Sequence, residues 1–251
     1  MHLKLTIAYD GASFAGWQIQ PNGNTIQERI ESALAEVAGE PIRLHASGRT
    51  DAGVHALGQV AHFEAPDRLT MNPFNWVPAL NTKLPPQIRV MACEEVPADF
   101  HARFSAVEKT YTYRLCLSPV LSPFLAKRVW HLPRQLNPVD LDDALTLFRG
   151  THDFRAFAAK RGNETEETNY TRTLSECSFE SLADGYLLTF IGNGFLYKMV
   201  RLLTGAAVQA AQGYLLPDDL ADLVAHPEPG GKKSPLCAPP DGLTLKEVIY
   251  R

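Results

Sequence analysis

Residues 3–39 read LKLTIAYDGASFAGWQIQPNGNTIQERIESALAEVAG, and their pattern sets the fold class. Leu3, Leu5, Ile7 and Tyr9 alternate with polar or small residues as far as Asp10-Gly11, the period of a strand with one buried face that ends in a turn. After a loop, Thr25 and Glu28 stand at capping-box spacing, where a hydroxyl can take up a backbone N–H that the first helical turn leaves unpaired. Ile26, Ile30, Ala33, Leu34 and Val37 then recur on one helical face until Gly39 stops the run. Phe14 and Trp17, in the loop between, are expected to cover this strand and helix rather than to stack on a base.

The same logic extends outward. Residues 58–63 are short and β-rich, 75–84 combine helix and turn, and 88–92 alternate again after Pro85-Pro86. Strand, helix, strand, helix and strand make one α/β sandwich unit, placed at 1–104. Tyr111, Tyr113, Leu115 and Leu117 alternate after the basic segment FHARFSAVEKT and open a second unit, 105–251. Asn137, Pro138 and Asp140 start a helix whose apolar face is Leu141, Ala144, Leu145 and Phe148. A hairpin is expected across Ala183-Asp184-Gly185, joining strands at 173–179 and 186–191. From GNGFLYKMVR a helix runs through Val200, Leu203, Ala207 and Ala210 to Gly213, a short helix covers 217–225, and a strand closes the chain at 243–250.

Composition bounds the function classes. The 251 residues are 45% hydrophobic and 21% charged, enough for one large core or two smaller ones. A net charge of -4 argues mildly against nucleic acid, but distribution can overrule the total. Acids gather at 140–143, 164–167 and 218–222, whereas Arg43, Arg49, Arg103, Lys109, Arg114, Lys198 and Arg201 fall in or beside the segments discussed here. The N-terminus lacks a basic region followed by an apolar run, so no signal peptide is expected, and no stretch is long enough to span a bilayer. A cytoplasmic protein is the expectation. The four cysteines form no CxxC and the eight histidines no HExxH or HxH, so neither a disulfide framework nor a metal is expected.

Residues 45–60, HASGRTDAGVHALGQV, fit neither helix nor strand periodicity and read as a loop. Arg49 stands two residues from Asp51 between Gly48 and Gly53, and glycine permits backbone angles that can turn both side chains toward one point. An ordinary turn with a surface ion pair fits the composition as well as a catalytic loop does. Lys198 and Arg201 lie near a helix start, where a cation opposes the dipole at a cost of a few tenths of a kcal/mol and suggests a nearby anion.

Taken in order, YDGASFAGWQIQ with TIQ, SGRTDAGVHALGQV, FHARFSAVEKTYTY, GTHDF, GFLYKMVR and the closing GL resemble the tRNA pseudouridine synthase A family across nearly the whole chain. The family often has Gly-Ala where this chain has Ala46-Ser47, and the 161–169 loop is unusually acidic. The resemblance implies an α+β protein of two similar RRM- or ferredoxin-like subdomains, forming a largely antiparallel mixed sheet with helices on one side and a basic active-site cleft between the halves. It implies isomerisation of uridine to pseudouridine at positions 38, 39 and 40 in the anticodon arm of tRNA, by a homodimer without cofactor.

By the same resemblance Asp51 is the catalytic carboxylate, attacking C1' or removing a proton from C2'. Arg49 holds the flipped nucleotide. Tyr111 stacks on the uracil, although an inward strand residue also fits its position. Arg201 pairs with Asp51 and keeps it ionised. Lys198, Lys109 and Arg114 are candidates for phosphate contacts. His55 and Gln59 could touch the substrate or the loop itself. Two other functions fit an Asp in such a loop: an N-glycosidase acting on RNA, in which water completes the reaction, and a non-catalytic RNA-binding module.

Overall fold

The computed structural model describes residues 1–251 apart from 22, 161, 163 and 166. The acidic 161–169 loop therefore lies partly outside the described residues. In chain order the elements are β1 (His2–Tyr9), α1 (Ile26–Ala38), β2 (His45–Ala46), β3 (His55–Glu64), α2 (Pro73–Asn81) and β4 (Ile88–Glu95). They continue with β5 (Ala106–Cys116), β6 (Trp130–His131), α3 (Pro138–Leu147), β7 (Gly150–Asp153), β8 (Thr171–Leu182), β9 (Gly185–Gly192), α4 (Met199–Ala211), α5 (Pro217–Ala225) and β10 (Leu243–Tyr250). Contacts divide the chain into Met1–Val107 with Thr244–Arg251, and Glu108–Leu243. The first boundary thus follows Val107 in place of residue 104, and nearly all of the closing strand counts with the first unit.

In the first unit the strand order is β4-β1-β3-β10, with β2 on β3. β1 runs antiparallel to both neighbours, placing Leu5 opposite Ala61 on β3 and Cys93 on β4. Its odd-numbered face, Leu3, Leu5 and Ile7, is fully buried. β10 lies parallel to β3, Thr244 opposite His55, which makes the arrangement mixed.

α1 begins as its sequence predicts: Glu28 N donates to Thr25 Oγ1 at 3.4 Å, and Gly39 ends the helix in the left-handed conformation. Ile26, Ile30 and Leu34 are buried along one face. α2 packs on β4 and on α1, with the Trp76 ring 5.1 Å from Phe63 in an edge-to-face contact. Phe14 and Trp17 are buried in the same core.

In the second unit the order is β5-β9-β8-β7, with β6 parallel to β5 through Leu115 and Trp130. The other pairings are antiparallel, and the β8–β9 hairpin closes with Leu182 opposite Gly185. Asn137 caps α3 by accepting from Val139 N at 3.0 Å, with Pro138 at the first helical position. α3 packs on α4 and β8, and α5 on α3 and β7. The class is α+β, a mixed β structure with five α-helices among the described residues.

Short strands that the sequence does not announce are β2, β6 and β7. β2 pairs His45 with His62, and β3 begins at His55, so the loop read over 45–60 narrows to 47–54. Among the described residues no helix is long and apolar enough to cross a membrane, and no group of three or more His, Cys, Asp or Glu side chains could hold a metal ion.

Candidate active site

The 47–54 loop is tied to its surroundings on both sides of Asp51. Ser47 N donates to Val60 O at 2.8 Å, and Trp17 N donates to Thr50 O at 3.0 Å. After Asp51 the chain turns at once: Val54 N donates to Asp51 O at 3.2 Å, and Gly53 N donates to Phe14 O at 3.3 Å. Gly53, the third residue of that turn, has φ 82°, a positive angle that glycine adopts without strain. Gly16, at φ 97°, sits where a Cβ would meet Thr50 O at 2.8 Å, so the loop over Thr50 can close down only on a glycine.

Side chains complete this mount. Ser47 Oγ donates to Gln59 Oε1 at 2.7 Å, and Gln59 Nε2 donates to Gly48 O at 3.1 Å and to the Tyr9 hydroxyl at 3.4 Å. The Tyr9 hydroxyl lies 2.8 Å from Thr50 Oγ1. Burial pushes the Tyr9 phenol up to about 12, so it remains a neutral donor. Against this buried frame Asp51 is half-buried and Arg49 exposed. A carboxylate on a tied backbone, partly open to solvent and two residues from an exposed arginine, can act on one atom of a bound, negatively charged substrate.

His55 is buried, and its Nδ1 accepts from Gly11 N at 3.1 Å while lying 3.2 Å from Asp10 Oδ1. Its ring thereby fastens the start of β3 to the turn after β1, outside the 47–54 loop.

The remaining candidates belong to the second unit. Tyr111, on β5 opposite Phe190, is half-buried with its ring 5.0 Å from Phe195 at a nearly perpendicular angle. Two residues on, Tyr113 is fully buried and donates to Pro239 O at 2.7 Å. Lys109 and Arg114 pair with Gly192 and Leu187 on β9, so about 16 Å of strand separates them. Arg114 donates to Leu115 O at 2.9 Å and forms an ion pair with Asp184 in the hairpin turn, which holds that carboxyl below its ordinary range.

Lys198 precedes α4 with φ 60°, a conformation uncommon outside glycine, and its Nζ stands 5.3 Å from the Tyr197 ring centre. Arg201, in the first turn of α4, donates from Nε to Ala238 O at 2.8 Å, and Ala238 N donates back to Arg201 O at 3.0 Å. That two-way tie fixes a cation at a helix start, the position that the dipole disfavours.

A family model described as tRNA pseudouridine synthase matches residues 5–105 and 144–251, stretches that contain Asp51, its mount and the α4 cations. The chain belongs to the tRNA pseudouridine synthase family. A tRNA pseudouridine synthase A of Akkermansia muciniphila is 50% identical over 99% of this chain and 94% of its own. One of Protochlamydia amoebophila is 42% identical over 98% of this chain and 95% of its own, and one of Bacillus cereus 40% over 99% and 98%. A crystal structure of a Cbf5-Nop10-Gar1 complex overlaps 82% of this chain and 53% of the matched chain at a TM-score of 0.35 and 10% identity, too slight a likeness to bear on the fold.

In the sequence Asp51 and Arg49 stand out as a motif, whereas Tyr9 and Thr50 do not. Tyr9 reads as one more apolar residue of an alternating strand, and Thr50 as one more hydroxyl in a polar loop. The signal available was Gln59, an amide at a position of β3 that is fully buried and therefore needs hydrogen-bond partners.

Proposed function

We propose that Asp51 is the carboxylate with which this enzyme isomerises uridine to pseudouridine in tRNA, at positions 38, 39 and 40 of the anticodon arm. The observation that carries the reading is the tied GRTDAG loop, which leaves Asp51 half-buried and Arg49, two residues before it, exposed in a chain of this family. In the reaction the C1'–N1 bond breaks, the uracil turns, C5 bonds to C1', and the C5 hydrogen leaves while N1 gains one. Atoms balance without an oxidant, a reductant or water, so a positioned carboxylate and a held substrate suffice.

The other roles follow the family motifs. Arg49 holds the flipped nucleotide, Tyr111 stacks on the uracil, and Arg201 is the basic partner of the carboxylate. Lys198 and Lys109 meet RNA phosphates. Arg114 is the weaker candidate for that role, because its guanidinium is already engaged with Asp184. His55 supports the loop rather than the substrate, through Gly11 N. The working form is a homodimer in the cytoplasm, with tRNA as its partner.

The test is product analysis with tRNA tritiated at uridine C5. Tritium release into water with pseudouridine in the tRNA and no free uracil is expected. Free uracil would instead identify an N-glycosidase, and tRNA binding without either product a non-catalytic module.

A further inference from the structure

We propose that Tyr9, Thr50 and Gln59 form a clamp that positions Asp51 for catalysis, beyond their part in the core. The proposal rests on Asp51 as the catalytic carboxylate. Gln59 is fully buried, and its amide orientation is fixed by its neighbours. Gly48 O can only accept and Val60 N can only donate, so Nε2 must face the first, at 3.1 Å, and Oε1 the second, at 3.2 Å. The second hydrogen of Nε2 goes to the Tyr9 hydroxyl, which leaves the phenol hydrogen for Thr50 Oγ1.

The chain of bonds thus runs from a β3 side chain, through the end of β1, to the residue immediately before Asp51. Thr50 is held twice, by its hydroxyl from Tyr9 and by its carbonyl from Trp17 N. Two constraints on one residue fix both the path of the backbone and its rotation, which sets the direction in which the next side chain leaves. Displacing a reacting group by about 1 Å can cost on the order of 100-fold in rate. The clamp is built to prevent such a displacement, because its members are buried where solvent cannot replace a lost partner.

The experiment combines Tyr9→Phe, Thr50→Val, Thr50→Ser and the double variant Tyr9→Phe/Thr50→Val, with kcat and KM measured on tRNA and thermal unfolding followed on each. Tyr9→Phe keeps the ring in the core, and Thr50→Val keeps the shape. Each is expected to lower kcat by on the order of 10-fold to 100-fold, with KM changed less than about twofold. Because both remove the same bond, the double variant is expected to lose no more than the worse single one. Thr50→Ser, which keeps the hydroxyl, is expected to keep most of the rate. If Tyr9→Phe fails to fold, the Thr50→Val and Thr50→Ser comparison still decides.

Unchanged kcat in Tyr9→Phe and Thr50→Val, losses confined to KM, or multiplied losses in the double variant would overturn the clamp. Asp51→Asn, measured alongside, keeps the two readings apart. An inactive Asp51→Asn with fully active clamp variants overturns the clamp alone, whereas an active Asp51→Asn overturns the assignment on which it rests.

Discussion

Gly16 lies so close under Thr50 that a Cβ on it would stand 2.8 Å from the Thr50 carbonyl oxygen, the same oxygen that accepts from Trp17 N. Gly16→Ala therefore combines a clash with an L-residue at φ 97°. The substitution is expected to cost about 1–3 kcal/mol of stability and to lower turnover further by moving the loop. Urea unfolding and kcat on the purified variant check both; a variant as stable and as active as the parent would show that this close approach is dispensable.

Acid should loosen the first unit through His62. Burial lowers its pKa to about 4, and repulsion from His101, His2 and His45 adds to this. The ring packs among all three, at centroid distances of 4.7, 4.9 and 5.2 Å, with Lys4 opposite it on β1 and Arg103 beside His101. Its Nδ1 accepts from Ala102 N at 3.1 Å, a bond that an imidazolium cannot make. A folded-state pKa below the unfolded value of about 6.5 means that the unfolded chain takes up a proton the native protein refuses. Stability is complete above about pH 6.5, falls as the pH drops toward 4, and levels below that, by on the order of 2 kcal/mol after allowance for solvent screening. His62→Asn keeps an acceptor but cannot titrate, so its unfolding free energy should vary less between pH 7 and pH 4. An equally steep dependence would assign the acid sensitivity to other groups.

The cap of α1 gives a purely structural prediction. Thr25 is fully buried and accepts from Glu28 N, so Thr25→Ala is expected to cost about 1 kcal/mol, read from the denaturation midpoint. Thr25→Ser should recover most of it.

How far the residues announce these features depends on range. α1 is legible because its cap, apolar stripe and stop are all local, and β1 because alternation is local too. β10 looks like any closing strand; that it pairs in parallel with β3 follows from partners nearly two hundred positions away, which no local pattern encodes. β2, β6 and β7 are too short to show a period. The catalytic candidate was legible as a motif, but its mount was not. Tyr9 has the pattern of a core residue and is one, and its hydroxyl acquires a second task only because the fold brings Thr50 to it. Arg114 illustrates the same point: it stands just after a basic segment, and its ion pair with Asp184 depends on the hairpin turn that the fold brings to it.

Binding to tRNA is expected to weaken with salt, because each phosphate neutralised by Lys or Arg releases counterions. Arg49→Ala, at an exposed site, should weaken binding and reduce the slope of log K against log salt by about 1, with little change in the unfolding midpoint. An affinity flat between low and moderate salt would contradict the role assigned to the basic residues.

The most direct measurement of the central claim is the single-turnover rate of tritium release from 5-tritiated uridine in tRNA, for the parent enzyme and for Asp51→Asn. Asn preserves the size of the side chain and removes its charge, so loop geometry and tRNA binding should survive while the rate falls by on the order of 10⁴-fold or more. Turnover within tenfold of the parent enzyme would show that the carboxylate at Asp51 does not carry the reaction.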